Sequence, residues 1–289
     1  MNYSISFPNI GITLSHVPKT FNVFGLDIAV YGCTMALGIL AGLYLAMFLA
    51  KKTRQNPDDY LNIALIGIVL GLSCARAYYV IFTWDYYRLH PLEILNLRGG
   101  GLALYGSLIG AVLAVVLYCR KKKLKIMLVL DTASCGMVIG QIIGRWGNFF
   151  NREAFGGYTD NLLAMQLPLS AVRADEVTKA MLDHQIVQDG VTFIRVHPTF
   201  LYESLWNCGV LLILLAVTLR SLKAFDGEVF LWYLVLYGAG RFWVEGLRTD
   251  QLHLWGTQVA VSQVLGAVMA VGCFVLIWVI RGKKRRTAG

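Results

Sequence analysis

The 289-residue chain is 57% hydrophobic and only 15% charged, where ordinary soluble domains carry about a quarter charged residues. Its net charge of +9 sits in short runs beside apolar stretches, "KKTR" (51–54), "RKKKLK" (120–125) and "RGKKRR" (281–286). This pattern flanks membrane spans and excludes both an ordinary soluble domain and a nucleic-acid-binding face.

In chain order, the N-terminus shows no basic segment followed by an apolar one, so no cleavable signal peptide is expected. A helix needs roughly 20 apolar residues to cross a hydrocarbon core of ~30 Å. Seven stretches qualify, about 24–50, 60–83, 101–119, 127–150, 198–220, 227–247 and 256–280. They predict an all-α integral membrane protein, a single polytopic membrane domain over residues 1–289. The one sizeable loop, 151–197, predicts a small extracytoplasmic cap, and its "VQDGVTFIRVHP" (187–198) reads as a turn followed by a short strand. Lys51, Lys52 and Arg54, then Arg120 to Lys125, Arg220, Lys223 and the run 281–286 mark one side as cytoplasmic. The N-terminus is then outside and the C-terminus inside. The six cysteines lie in or beside apolar runs with no CxxC spacing, and the five histidines are scattered. Neither disulfides nor a metal site is expected.

Charges fall inside the predicted spans at Arg76, Asp131, Arg145, Glu203, Arg241 and Glu245. Each costs about 2.5–3.5 kcal/mol at mid-bilayer on insertion scales, so each is expected to face the bundle interior or a wet cavity. Tyr237, Arg241 and Glu245 are spaced by four and Arg248 follows by three, so they form one polar stripe on a helix. Arg145 and Asn148 share a face, but no carboxylate neighbours Arg145 within its own span. Two readings stay open for such arginines: structural pairing with carboxylates, or capture of an anion such as a phospholipid phosphate. Gly99, Gly100, Gly101, Gly106 and Gly110 surround Tyr105. They are equally consistent with close backbone approach and with small-residue helix packing.

Several of these stretches together resemble one family. "GRWGNFFNREAFGG" (144–157) meets every fixed position of the Gly-Arg-x-Gly-Asn-Phe-x-Asn-x-Glu signature of the bacterial prolipoprotein diacylglyceryl transferases. "VYGCTMALGIL" (30–40) is similar to their first-span Tyr-Gly motif and gives Tyr31. "CARAYYVIF" (74–82) resembles a Gly-Ala-Arg-x-x-Tyr-Val motif with Cys74 in place of glycine. "HPTFLYESLW" (197–206) resembles a His-Pro-x-x-x-Tyr-Glu element with His197, Tyr202 and Glu203. "LYGAGRFWVEGLRTD" (236–250) and "VSQVLG" (261–266) resemble the last two motifs. Where some members have His-Gly-Gly, this chain has Tyr105-Gly106-Ser107, which puts a histidine base in doubt.

The resemblance implies a bacterial cytoplasmic-membrane enzyme that moves the diacylglyceryl group of phosphatidylglycerol to the cysteine thiol of a prolipoprotein lipobox. A thioether forms and glycerol phosphate leaves. The implied partners are phosphatidylglycerol, prolipoprotein signal peptides and membrane lipids, with no cofactor. Arg145, Arg241 and Tyr105 are the expected catalytic residues. Arg145 and Arg241 would clamp the phosphate, and Glu245 would orient Arg241. Tyr105 stays open between phosphate binder and base for the thiol. Arg145, Asn148, Asn151, Tyr31, Glu245 and Tyr237 are expected at the lipid, with Asn148 and Asn151 donating to head-group oxygens. Glu153, His197, Tyr202, Glu203 and Arg248 are second choices. A transporter with an arginine-lined anion path and a non-catalytic phospholipid-binding protein are the alternatives.

Overall fold

The computed structural model describes residues 4–96, 100–254, 257 and 259–288. Gly99 and residue 256, where the last span was expected to begin, lie outside the described residues. The fold is mostly helical. Helices α1 (Val30–Lys52), α2 (Pro57–Phe82), α3 (Trp84–Tyr87), α4 (Leu104–Lys122), α5 (Ile126–Asn151), α6 (Lys179–Asp183), α7 (Thr199–Leu219), α8 (Glu228–Glu245) and α9 (Val261–Ala288) follow in order. The strands are β1 (Ile5–Phe7), β2 (Ile12–Leu14), β3 (Thr20–Val23), β4 (Leu26–Ala29), β5 (Met165–Pro168), β6 (Ile186–Gln188) and β7 (Val191–Val196).

Six of the helices, α1, α2, α4, α5, α7 and α9, are long and apolar enough to cross a membrane by length and composition, as fits an integral membrane protein. The stretch expected as the sixth span is α8. Its 18 residues span about 27 Å, but they include Glu228, Arg241 and Glu245. Local chemistry sets the helix ends. Asn56 accepts a hydrogen bond from the Asp58 amide at 3.1 Å to cap α2, with Pro57 in the first turn. Lys51 and Lys52 close α1, where cations meet the negative end of the helix dipole.

The chain forms two compact units, Met1–Gly42 with Ser134–Gly289, and Leu43–Ala133. In the first unit α1 and α5 meet along glycines. A Cβ on Gly42 would sit 2.5 Å from the Gly136 carbonyl oxygen, and one on Gly38 would sit 3.0 Å from that of Gly140. Two corrections to the sequence reading belong here. The first span does not begin at residue 24: Phe24 and Gly25 both take positive φ (52° and 84°) and close the β3–β4 hairpin, so helix starts only at Val30. The fold is also not all-α. A five-stranded antiparallel sheet in the order β2-β1-β5-β7-β6 joins the N-terminal strands to the 151–197 loop. Asp189 and Gly190, also at positive φ, turn β6 back into β7. The apolar sides of β1, β5 and β7 bury Ile5, Phe7, Met165, Leu167, Ile194 and Val196 against Phe149 of α5 and Phe200 of α7. The sheet is thus fastened to the helix ends that carry the site.

In the second unit α4 lies on α2. A Cβ on Gly106 would fall 2.7 Å from the Ala75 Cα, and one on Gly110 would fall 2.6 Å from the Gly71 Cα. These two glycines serve helix packing. Gly100 and Gly101, at φ +84° and +72°, instead bend the chain around Arg76. That buried guanidinium donates to the carbonyls of Glu93, Ile94, Asn96, Gly100 and Gly101. Its charge serves to tie residues 93–96 to Gly100 and Gly101.

Candidate functional site

Arg145 lies in the last turns of α5, Glu203 in the first turns of α7, and Arg241 and Glu245 in the last turns of α8. Packing these ends together builds one ladder of alternating charge. Arg145 Nη2 meets Glu203 Oε2 at 2.6 Å, and Arg241 Nη1 meets Glu203 Oε1 at 3.5 Å. Arg241 Nη2 meets Glu245 Oε2 at 2.7 Å, one helical turn away. Arg248 continues the ladder 3.9 Å from Glu245 and grips Asp250 with two bonds of 2.8 and 2.6 Å. Glu203 and Glu245 are 5% and 4% exposed, and each has arginine partners that offset the cost of burying it. Burial pushes the Asp250 carboxyl up, but the hydrogen bonds and charge of Arg248 outweigh this and hold it below the usual carboxylate range.

This geometry closes a question the sequence left open. No carboxylate of its own helix meets Arg145, but it does have a counter-charge. Its partner comes from α7, fifty-eight positions along the chain, where helical spacing gives no hint of it. The ladder still leaves donors for a ligand. A guanidinium has five N–H groups, and the described partner of Arg145 is Glu203 alone. Beside the ladder, α7 and α8 leave a small crevice lined by Glu203, Trp206, Asn207, Tyr237, Gly240, Arg241 and Val244. Tyr237 stacks on Tyr233 with ring centroids 5.6 Å apart. A Cβ at Gly240 would collide with the Trp206 indole, so glycine there lets the indole lie against α8.

A second cluster forms where α5 ends. Glu153 Oε1 accepts from Asn148 Nδ2 at 3.2 Å and from Asn151 Nδ2 at 3.3 Å. The expectation that both asparagines donate to a head group therefore narrows, because one amide hydrogen of each is already given to Glu153. Arg173, from the loop before α6, binds Glu153 Oε2 at 2.9 Å and lies 3.6 Å from Glu176. Glu176 in turn accepts the Ala154 amide at 3.0 Å. Burial pushes the Glu176 carboxyl up, partly offset by that amide. Upstream on α5, Gly147 lets Tyr31 of α1 lie on the helix: a Cβ there would be 2.7 Å from the Tyr31 ring.

After the signature the chain runs between two helix ends. The Gly156 amide donates to the His197 carbonyl at 3.0 Å and the Gly157 amide to that of Leu247 at 2.8 Å. A Cβ on Gly156 would sit 2.7 Å from His197 Cβ and 2.8 Å from the Leu247 oxygen. His197 Nδ1 faces the Tyr202 hydroxyl at 3.3 Å, and that hydroxyl also accepts from Asn161. Burial holds the His197 imidazole below its ordinary pKa. Tyr105 belongs to the other compact unit. It stands in the first turn of α4, 61% exposed, with its ring 6.4 Å from that of Tyr78. Sequence reasoning missed Asp250, Asn207, Trp206, Arg173 and Glu176. Only the Arg248-x-Asp250 spacing carried a signal.

Residues 18–279 match the family model described as prolipoprotein diacylglyceryl transferase. Similar curated proteins bear the name phosphatidylglycerol–prolipoprotein diacylglyceryl transferase. That of Clostridioides difficile (strain 630) is 43% identical over 252 residues, covering 87% of this chain and 90% of its own. That of Finegoldia magna is 40% identical over 256 residues, covering 89% and 92%. That of Acaryochloris marina is 39% identical over 262 residues, covering 90% of each.

Proposed function

The chain belongs to the prolipoprotein diacylglyceryl transferase family, and from that premise we propose how its site moves a diacylglyceryl group from phosphatidylglycerol to the lipobox cysteine of a prolipoprotein. The cysteine sulfur attacks the diacylglyceryl carbon that bears the phosphate, and its proton ends on the leaving glycerol phosphate. The C–S bond forms as the C–O bond breaks, and glycerol phosphate leaves with the electron pair. The product is a thioether, the first step of lipoprotein maturation.

The ladder Arg145–Glu203–Arg241–Glu245 carries this reading. The charge that grows in the transition state is on the departing phosphate, and preorganised cations in a low-dielectric site stabilise it well. Glu203 and Glu245 hold the two guanidinium groups in place before the lipid arrives, so little reorganisation is left for the reaction itself. The phosphate takes the N–H groups of Arg145 and Arg241 that the carboxylates leave over. The same positive field favours the thiolate over the thiol. The Oδ1 atoms of Asn148 and Asn151, turned away from Glu153, accept hydrogen bonds from the glycerol hydroxyls. Tyr31 and Tyr237 flank the lipid.

The membrane arrangement belongs to the same proposal. Helix α8 is a seventh span, its charges tolerated because each is paired: Arg241 with Glu203 of α7, Glu245 with Arg241, and Glu228 with Arg281 of α9. The basic runs at the C-terminal ends of α1, α4 and α9 lie in the cytoplasm, and the N-terminus, the sheet and the opposite-side ends of α5, α7 and α8 then lie outside. The sheet is then a cap over the site, within one polytopic domain in the bacterial cytoplasmic membrane. The reading is tested with purified protein, phosphatidylglycerol and a lipobox peptide, followed by mass spectrometry. A diacylglyceryl mass gain on the cysteine peptide, absent from the cysteine-to-serine peptide, is expected. No gain from folded, lipid-bound protein would overturn it.

A further inference from the structure

Arg173 lies outside the signature, on the loop between the 3-10 turns Leu169–Ala171 and Ala174–Glu176. It spans two carboxylates, Glu153 at 2.9 Å and Glu176 at 3.6 Å. We propose that Arg173 is a positioning residue that sets the asparagine amides of the head-group site through Glu153, and so carries recognition of the glycerol hydroxyls; this rests on the transferase reading above.

The hydrogen bonds lead inward from Arg173 to the asparagines. A carboxylate only accepts hydrogen bonds. Glu153 Oε1 receives Asn148 Nδ2 and Asn151 Nδ2 together, so chemistry fixes both amides with their nitrogens toward Glu153. Their oxygens consequently point elsewhere as two acceptors. Hydroxyl hydrogens are the natural complement of two such oxygens, and a phosphate, which is all acceptors, is not. The arrangement holds only while the Glu153 carboxylate keeps its rotation. Arg173 takes its other oxygen, Oε2, and is itself held by Glu176, which is 3% exposed and tied to the Ala154 backbone. Lys19 donates to the Ala171 carbonyl at 3.0 Å and steadies the same loop. A guanidinium can serve two carboxylates with two nitrogens in a fixed plane, whereas an ammonium is a point charge.

The experiment compares wild type, Arg173→Ala and Arg173→Lys in mixed micelles of phosphatidylglycerol with a lipobox peptide. Two quantities are read: KM and kcat for the lipid, and inhibition by glycerol phosphate against methyl phosphate. Loss of oriented hydrogen bonds made equally in the ground and transition states raises KM and spares kcat. Arg173→Ala is expected to raise KM about tenfold while kcat stays within about twofold. Wild type should prefer glycerol phosphate to methyl phosphate, and Arg173→Ala should bring that ratio close to one. Arg173→Lys should fall between the two, and it serves as the test if the alanine variant does not fold. A role confined to holding the loop would leave the inhibitor ratio unmoved. An unchanged KM and ratio in an active enzyme overturns this inference alone. No transfer by the wild-type chain overturns the transferase reading and this inference with it.

Discussion

Glu203 is the residue on which the site turns. One carboxylate touches both arginines, from a third helix, and it is more deeply buried than either of them. Removing one partner of a buried pair costs far more than a surface pair would, about 3–5 kcal/mol. Glu203→Gln keeps the shape and one hydrogen bond acceptor but deletes the charge. It leaves Arg145 without its described counter-charge and Arg241 with Glu245 alone. The expected outcome is a fall in kcat/KM of at least about a hundredfold, with the protein still inserted and a lower thermal midpoint. Wild-type turnover in Glu203→Gln would show that the arginines need no help in holding their place. At this scale the sequence was partly legible. Helical spacing revealed Tyr237, Arg241 and Glu245 as one face, because they lie within one helix; Arg248, expected on the same stripe, lies past the end of α8 in a bridge to Gly156 and still comes within 3.9 Å of Glu245. The Arg145–Glu203 contact was hidden, because hydropathy and periodicity say nothing about which helix packs on which.

The elements were legible in proportion to how local their causes are. Long apolar helices such as α1 and α9 stand out because their residues answer to lipid. Helix α8 is less clean because its charged face answers to the protein. The β3–β4 hairpin was masked by its own hydrophobicity: Phe24, Leu26 and Ile28 are apolar and continue into α1, so hydropathy reads them as helix. The Phe24-Gly25 turn was the available signal against it. Strands β1 and β5 lie more than 150 positions apart and are too short to be read alone. Their pairing closes the sheet, and the sheet fixes His197 at the entry to α7. Burial lowers the pKa of that imidazole, so the folded protein favours it neutral, while an unfolded chain titrates near 6.5. Between the lowered value and about 6.5 the unfolded state binds more protons, so stability falls as pH drops through that window and levels off below it. Thermal unfolding followed from pH 7.5 to 5 should show this fall. His197→Gln should flatten it, and an equal slope in the variant would place the titrating group elsewhere.

At the scale of the whole molecule, the fold gathers a charged ladder at the ends of apolar helices and buries its carboxylates. Helices α5, α7 and α8 bring three chain segments to one level, and the sheet packs on Phe149 and Phe200 beside them. The motifs of the signature and of α8 made the chemistry legible as a family likeness well before any geometry was known. The sheet's topology, the 173–176 clamp and the pairing of Arg145 depend on contacts between distant segments, and the sequence alone did not reveal them. In the proposed mechanism Arg145 and Arg241 bind the leaving phosphate as forks and not merely as charges. Diacylglyceryl transfer to a lipobox peptide, read by mass spectrometry, tests this with wild type, Arg145→Ala and Arg145→Lys side by side. Wild type should show a thioether-linked mass gain and either variant almost none, with both still folded and inserted. Full transfer by Arg145→Lys would contradict the fork, and full transfer by Arg145→Ala would remove the clamp from the mechanism.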